Sequence, residues 1–295
     1  MVARIGGRLR KTASRVRGVH GTEDRRDEYA RLLAASKRAG YELVGLQEFH
    51  ERAPVEGEDW RALALRHDVD IRDVDGNEAF LAVERSVEAR ATYYFRMSTA
   101  GPHADLIRRL LRGGFEVGYH YEEGATVAKR HGLTSRAALE ARRSEVAALF
   151  RDNCAEFRNR WNPGLSSVAS HGDWINGRLG FANSVFVTPQ LLSECGLRFE
   201  AYAGDFLSGF DVYVSDAARY PARWANEYGV YEAMRDGRRR ICLLTHERRW
   251  HPSCLAGLAA DAGRVADGAR YEWNRRRQTG ARRRRTGHTP GGTSA

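Results

Sequence analysis

Ala62-Leu63-Ala64-Leu65-Arg66-His67-Asp68-Val69-Asp70 is a short apolar run that passes directly into ionisable residues. The run predicts a buried strand, and because residues i and i+2 of a strand point to the same side, Asp68 and Asp70 face one pocket. Burying an unpaired carboxylate costs several kcal/mol or raises its pKa until the group is neutral. A bound cation at the strand end removes that penalty. The alternative is a solvated loop in which the two aspartates cap a helix.

The same arrangement recurs along the chain, where five further apolar runs end in polar or ionisable residues. These runs are 91–95 before Arg96, 115–119 before His120, 166–169 before Ser170-His171-Gly172-Asp173, 211–214 before Ser215-Asp216, and 241–244 before Thr245-His246-Glu247. Apolar residues at helical spacing lie between several of them, in 27–39, 76–90, 103–112 and 134–151, whereas 174–210 is predicted to be irregular. Alternating strands and helices predict an α/β fold with a parallel sheet, whose strand ends carry the active face. No glycine-rich phosphate loop follows any of the strands.

Three of the residues at these strand ends are candidate metal ligands. Asp70, His120 and His171 supply one carboxylate and two imidazoles, which is a ligand set typical of a catalytic divalent metal such as zinc. Asp68 and His246 are the candidate proton-transfer pair, because amide hydrolysis needs a base for water and an acid for the leaving nitrogen. The alternative for each histidine is a hydrogen-bonded structural residue.

Four residues beside these candidates are predicted to contact the substrate: Arg66, Glu122, Asp216 and Trp250. Aromatic faces such as that of Trp250 suit sugar rings, and they equally suit a protein core. For Arg66 the alternative is that its charge tunes Asp68 or stabilises the corner of the chain.

Taken together, the motifs resemble those of a known family. They are residues 65–70 (LRHDVD), 91–96 (ATYYFR), 114–122 (GFEVGYHYE), 170–172 (SHG), 213–216 (YVSD) with Arg223-Trp224, and 243–246 (LLTH) with Trp250. In this order, over about residues 60–252, they resemble the polysaccharide deacetylase family (NodB-type, carbohydrate esterase family 4), and more narrowly its divergent R-H-D-V-D branch. The resemblance implies a distorted (β/α)7-type barrel and metal-dependent removal of N-acetyl groups from amino sugars.

The family pattern also implies roles for individual residues. It matches Asp68 to the base, Asp70 and His120 to metal ligands and His246 to the catalytic acid. The family's second metal histidine, four residues after the first, corresponds to Gly124 here. The missing ligand therefore comes from His171, from Glu122 or from nowhere. The usual adjacent Asp-Asp is also replaced by Asp68-Val69-Asp70, so the choice of base stays open.

The basic residues are concentrated at the two ends of the chain. Residues 1–25 hold seven basic side chains against two acidic ones, and 270–295 hold eight against one, so the two ends carry +12 and residues 26–269 carry −2 of the net +10. We expect one domain over 26–269, a flexible segment over 1–25 and a disordered Arg-rich tail over 270–295. The ends are predicted to make at most weak contact with a membrane surface, and the near-neutral domain argues against nucleic acid as a partner.

Two features predict a cytoplasmic protein. The basic N-terminus does not lead into an apolar signal-peptide core, and the four cysteines show no C-x-x-C pairing. Two functional hypotheses follow from the motifs. The first is a metal-dependent hydrolase, with zinc as the favoured divalent metal, that removes an N-acetyl or other N-acyl group from an amino sugar or glycoconjugate precursor. The second is a catalytically inactive deacetylase-like barrel that binds carbohydrate or a protein partner.

Overall fold

Eight parallel strands form one sheet in the computed structural model, which describes residues 24–217, 224–225, 228–250 and 254–286. The strands are β1 (Glu42–Val44), β2 (Ala62–Val69), β3 (Thr92–Phe95), β4 (Glu116–Tyr121), β5 (Ser167–Ser170), β6 (Phe199–Glu200), β7 (Val212–Ser215) and β8 (Arg240–Thr245). Seven of them follow the order β6-β5-β4-β3-β2-β8-β7, and β1 pairs with β2 beside this path. The prediction of a parallel α/β sheet is confirmed.

The longest strand, β2, lies at the centre of the sheet and has neighbours along both edges. Its residues 62–67 pair with β8 on one edge, while the other edge pairs with β1 over 62–64 and with β3 over 66–69. Because β2 is covered on both faces, all eight of its residues are buried. Asp68 is part of this strand, and Asp70 follows directly after its end.

The sheet curls into a half-barrel. Tyr202, just after β6, contacts the ring of Tyr213 on β7 with centroids 6.2 Å apart, although β6 and β7 are at opposite ends of the strand order. Small side chains such as Ala62 and Ala64 fill the concave side. Gly118 of β4 also faces this side, since a Cβ there would lie 2.2 Å from the Tyr94 ring. The interior of the half-barrel is therefore a packed core and not an open channel.

Helices cover the convex side of the sheet and fill the connections between strands. The α-helices are Arg26–Arg38, Leu46–Arg52, Val74–Ser86, Met97–Ala100, Ala104–Arg112, Glu123–Arg130, Arg136–Glu140, Arg143–Arg160, Trp174–Leu179, Pro189–Glu194, Gly204–Leu207, Val230–Arg235 and Cys254–Thr286, and short 3-10 helices span Asn183–Phe186 and Glu247–Arg249. Leu63 and Leu65 alternate with the inward-facing residues of β2 and pack against this helical layer. An apolar core thus lies on each side of the sheet.

The structure corrects the prediction that residues 174–210 are irregular. This stretch contains three α-helices, a 3-10 helix and the two-residue strand β6. Local signals are present, because Asp173 caps Ile175 N–H and Thr188 caps Leu191 N–H ahead of Pro189. The predicted helix over 134–151 is likewise two helices, Arg136–Glu140 and Arg143–Arg160.

The structure also differs from the prediction of a disordered tail over 270–295. The helix Cys254–Thr286 runs through the first part of the segment predicted to be disordered. Ala and Arg favour helix formation, and Tyr271 is fully buried with its hydroxyl donating to Leu133 O at 2.7 Å. Within the described ranges, no helix is both long enough and apolar enough to cross a membrane. Most of the predicted flexible N-terminal segment, the end of the Arg-rich tail and Arg223 of the sequence motifs lie outside the described residues.

A buried polar network joins the first helices to the sheet. Glu84 accepts hydrogen bonds from Tyr29 at 2.8 Å and Tyr93 at 2.6 Å, and its Oε1 lies 2.6 Å from His67 Nε2. His67 Nδ1 in turn lies 2.6 Å from Thr245 Oγ1. The network therefore fixes β2 and β8 at the residues that immediately precede Asp68 and His246.

Glu84→Ala is expected to destabilise the protein by about 3–5 kcal/mol, because it leaves Tyr29, Tyr93 and His67 buried without their shared acceptor. Urea unfolding followed by circular dichroism measures the loss. Glu88→Gln, which also removes a carboxylate but at an exposed position, is the control and should stay within about 0.5 kcal/mol of the original protein. Equal effects of the two substitutions would contradict the network's importance.

Candidate metal centre and active site

The predicted site residues converge at one mouth of the half-barrel, where the strands end. Asp70 follows β2, His120 lies near the end of β4, His171 follows β5 and His246 follows β8. They line a cavity of about 460 Å³ together with Asp68, Ser170, Gly172, Tyr202, Tyr213, Ser215, Ala217, Ala225, Leu244 and Arg248. Parallel strands deliver these side chains to one edge because all of their carboxyl ends point the same way.

Asp70, His120 and His171 form a compact triangle of ligand atoms. His171 Nδ1 lies 3.1 Å from Asp70 Oδ1 and 3.2 Å from His120 Nε2, and His120 Nε2 lies 3.3 Å from Asp70 Oδ1. A tetrahedral site with bonds of about 2.0–2.1 Å places its ligand atoms about 3.3–3.4 Å apart. The triangle therefore fits one face of a tetrahedron and leaves the fourth position to the cavity.

Two further observations fit a cation at this triangle. Asp70 Oδ1 is buried and accepts no hydrogen bond of normal geometry in the described structure. His120 Nδ1 lies 2.9 Å from Ala169 O, and since a carbonyl only accepts, Nδ1 carries the proton and Nε2 turns its lone pair towards the triangle. Burial acts to raise the pKa of Asp70, but the nearby His171 and His120 hold it well below its usual value, so the carboxylate is charged.

The structure also accounts for Gly124, the position where the family pattern has a second histidine. A Cβ on Gly124 would lie 2.9 Å from Asn183 Oδ1 and 3.1 Å from Phe181 and Phe186, so no larger side chain fits there. The Asn183 side-chain amide donates to His171 O at 2.7 Å, and its oxygen accepts from Ala125 N–H at 2.9 Å. Asn183 thus fills the space beside the glycine and anchors the loop that brings in His171 instead.

Glu122, the other candidate for the missing ligand, points to a different partner. Its Oε1 accepts from Arg96 Nη2 at 2.6 Å and Nε at 3.1 Å. Its Oε2 is 3.9 Å from His171 Nε2 and has no hydrogen-bond partner among the described residues. Glu122 therefore pairs with Arg96 and lies near His171 without a hydrogen bond to it.

Asp68 is held by Arg66, two residues earlier on β2. The guanidinium donates to both carboxylate oxygens, at 2.8 and 2.9 Å, and both side chains are buried. Burial acts to raise the pKa of Asp68, but Arg66 holds it below its usual value. The second oxygen of Asp68 lies 3.4 Å from His120 Nε2, so the carboxylate borders the metal triangle.

His246 is oriented by Asp216. The Nδ1–H donates to Asp216 Oδ1 at 2.6 Å, and Asp216 Oδ2 accepts from His246 N–H at 2.7 Å and from Trp250 Nε1–H at 2.9 Å. Burial acts to lower the pKa of His246, but the Asp216 carboxylate raises it to about 9. The imidazole is therefore protonated at neutral pH and turns Nε2 towards Asp70 Oδ2, 3.9 Å away.

Burial corrects three of the four predicted substrate contacts. Arg66, Asp216 and Trp250 are all at most 1 % exposed, so they cannot touch a bound sugar. Arg66 and Asp216 instead hold Asp68 and His246. Trp250 packs against Tyr29, with centroids 5.5 Å apart, on the helical side of the sheet. The motifs place these residues at strand ends but carry no signal of which side chains turn inwards.

Three residues near the site carried no predicted role. Asn183 lies in the stretch predicted to be irregular. Arg96 is predicted only to follow the strand over 91–95. Arg248 lines the cavity, with Nη2 3.8 Å from Asp70 Oδ2. Its position two residues after His246 is the one available sequence signal.

The chain matches no protein-family model and is significantly similar to no curated protein. Among solved structures it is similar to a mutant of peptidoglycan deacetylase PdaC from Bacillus subtilis, with 14% identity and a TM-score of 0.42 over 78% of this chain and 99% of that chain. It is also similar to a mutant of BA3943, a CE4 family pseudoenzyme with restored enzymatic activity, with 11% identity and a TM-score of 0.39 over 71% and 66% of the two chains. Both similarities are distant.

Glu123, directly after Glu122, is a buried acid with its own surroundings. Its Oε1 accepts from Tyr119 at 2.5 Å and from Asn153 at 2.8 Å, while Oε2 is buried without a partner in the described structure. Burial raises the pKa of Glu123 to about 7. Folding therefore favours the neutral acid.

Purified protein should bind one divalent ion, and His120→Ala or His171→Ala should each weaken binding roughly 100-fold or more, because either change removes a ligand. Calorimetric titration with Zn²⁺ measures the affinity. His131→Ala is the matched control, since His131 pairs with Glu145 outside the cavity. Unchanged zinc affinity in both site variants would refute the metal centre.

Glu123→Gln should change the pH dependence of stability. Because the folded-state pKa is raised, the stability contributed by Glu123 is complete below about pH 4.5 and is lost as pH rises through about 7. The variant should match the original protein near pH 5 and exceed its free energy of unfolding near pH 8 by about 3 kcal/mol. Urea unfolding at both pH values tests this, with exposed Glu156→Gln as control. A pH-independent difference would be inconsistent with a buried neutral acid.

Proposed function

We propose that the protein is a metal-dependent amide hydrolase that removes an N-acyl group, such as acetyl, from an amino sugar. The observation that carries the proposal is the 3.1–3.3 Å triangle of Asp70, His120 and His171 beside a paired carboxylate and a protonated imidazole. These are the parts that amide hydrolysis needs: a cation site, a base and an acid.

Asp70, His120 and His171 would hold the cation, and one carboxylate with two imidazoles is a donor set that favours zinc. When bound, such an ion polarises the substrate carbonyl and lowers the pKa of a nearby water. The chain's part is to keep the three donor atoms in place, through Ala169 O at His120 and Asn183 at His171.

The proton transfers are assigned to Asp68 and His246. Asp68 stays ionised because of Arg66, and it accepts a proton from the water that attacks the acyl carbon. The C–N bond then breaks, and the nitrogen takes the Nε2 proton of His246, which leaves a carboxylic acid and a free amine. Asp216 holds the imidazole in place throughout.

An amino sugar is proposed as the substrate from two features. The sequence motifs resemble those of polysaccharide deacetylases over about residues 60–252. The cavity is open to solvent beside the triangle, and Tyr202 and Tyr213 supply aromatic faces of the kind that stack on sugar rings. A cytoplasmic location remains a prediction from the sequence.

Release of acetate from N-acetylglucosamine and its β-1,4-linked oligomers, with Zn²⁺ present, tests the proposal. Asp68→Asn and His246→Ala should each lower the rate about 100-fold or more, because each removes a proton-transfer group. Both variants should retain zinc binding, which separates loss of chemistry from loss of the metal. His131→Ala should retain full activity.

One result would contradict the proposed hydrolase activity. If the original protein binds zinc but releases no acyl group from any N-acylated amino sugar tested, the hydrolase is refuted. The barrel would then be a binding module, the second hypothesis from the sequence.

A further inference from the structure

The C-terminal helix Cys254–Thr286 carries an exposed apolar stripe. Leu258, Val265 and Trp273 are 55 %, 75 % and 56 % exposed, and Ala262 and Ala269 lie between them. At about 100° per residue these five positions fall within an arc of about 80°. Large apolar side chains aligned in this way mark a surface for contact with something apolar.

The opposite face of the helix is fixed to the domain, which determines the direction of the stripe. Tyr271 is fully buried and its ring contacts Trp174 with centroids 5.3 Å apart. Asp267 accepts hydrogen bonds from Lys129 at 2.8 Å and from Trp174 Nε1 at 3.1 Å. The apolar stripe therefore points away from the domain and belongs to no core cluster of the described residues.

Arginines outnumber acids beside the stripe. On the helical wheel Arg270 and Arg277 lie on one side of it, and Arg276 follows Trp273 in line with it. On the other side lie Asp261 and Glu272, which are paired with Arg264 and Arg275. The Arg277 guanidinium lies over the Trp273 ring, 4.4 Å from the centroid. Over 270–295 the sequence has eight arginines and one acid, so this end of the helix is strongly cationic.

From the alignment of exposed apolar side chains beside arginines we propose that the outer face of this helix binds an anionic lipid surface. The apolar stripe would enter the boundary between headgroups and acyl chains, while the arginines contact the phosphates. Tryptophan is enriched at this boundary. The helix would lie on the membrane and not cross it, in agreement with its low hydropathy.

The charges on the helix favour an anionic lipid surface over two alternative partners, a second copy of the helix and a nucleic acid. A second copy of the helix would bring two Arg-rich segments together, which is electrostatically unfavourable. A nucleic acid would engage the arginines but would leave the apolar stripe without a partner. Of the three, an anionic lipid surface satisfies both features of the helix.

The inward face links this surface to the candidate active site. Lys129 bridges Asp267 of the helix and Asp173, at 2.8 and 2.6 Å, and Asp173 is two residues after His171. A helix held at a membrane would thus be coupled to the segment that supplies a metal ligand. The lipid proposal itself does not depend on the hydrolase proposal.

Co-sedimentation of the full chain with vesicles tests the proposal. We expect binding to phosphatidylcholine vesicles that contain phosphatidylglycerol, little binding to pure phosphatidylcholine, and weaker binding at high salt. The double variant V265D/W273A should lower the affinity on the order of tenfold or more, because it removes two apolar side chains and places a carboxylate in the stripe while every arginine stays in the chain. Val55→Asp, at a site 82 % exposed and outside the helix, should bind like the original protein.

Three outcomes would overturn the proposal. The first is failure of the original protein to bind the anionic vesicles. The second is equal binding by V265D/W273A, which would assign the attraction to charge alone. The third is a concentration-dependent dimer that V265D/W273A abolishes in the absence of vesicle binding, which would show that the stripe pairs with a second copy. Thermal unfolding by circular dichroism verifies that both variants remain folded.

Discussion

Two carboxylates close together at the end of the central strand are the constraint on which the site depends. Asp68 is buried, and Asp70, whose side chain is 11 % exposed, borders the cavity, so water stabilises both charges less than bulk solvent would. Arg66 neutralises the first with two hydrogen bonds from the same strand. The second faces His120 and His171, with which it forms the candidate metal site. The surrounding elements can be understood as supports for this pair.

The candidate site side chains have partners that fix their orientation. Asp216 holds His246, and Ala169 O sets which nitrogen of His120 faces the cavity. Asn183 occupies the space beside Gly124 and anchors the backbone of His171. Held in this way, the side chains keep one orientation in the cavity without further rearrangement. The same contacts place His171, from a different loop than the family pattern implies, in the candidate metal site.

Two networks of buried or partly buried polar contacts connect the candidate site to the surrounding helices. The Glu84 network joins the residues that precede Asp68 and His246. Hydrogen bonds therefore connect the ends of β2 and β8 to the same buried carboxylate. On another side, Lys129 and Asp267 connect the long C-terminal helix to the loop after His171. The half-barrel mouth is therefore held from two directions by charged groups that are themselves paired.

The sequence by itself determined the parallel α/β sheet and predicted that Asp68, Asp70, His120, His171 and His246 share one edge of it, because apolar runs and the polar residues after them are local patterns. Only the tertiary structure decided which polar side chains face the cavity. Arg66, Asp216 and Trp250 are buried as supports, a distinction that depends on contacts between strands distant in the chain. The two-residue strand β6 and the choice of His171 over Glu122 were decided in the same way, since neither has a local signal. Tertiary packing also fixes the start of the basic tail, because burial of Tyr271 adds contacts with the domain to a helix that its Ala and Arg residues favour only locally.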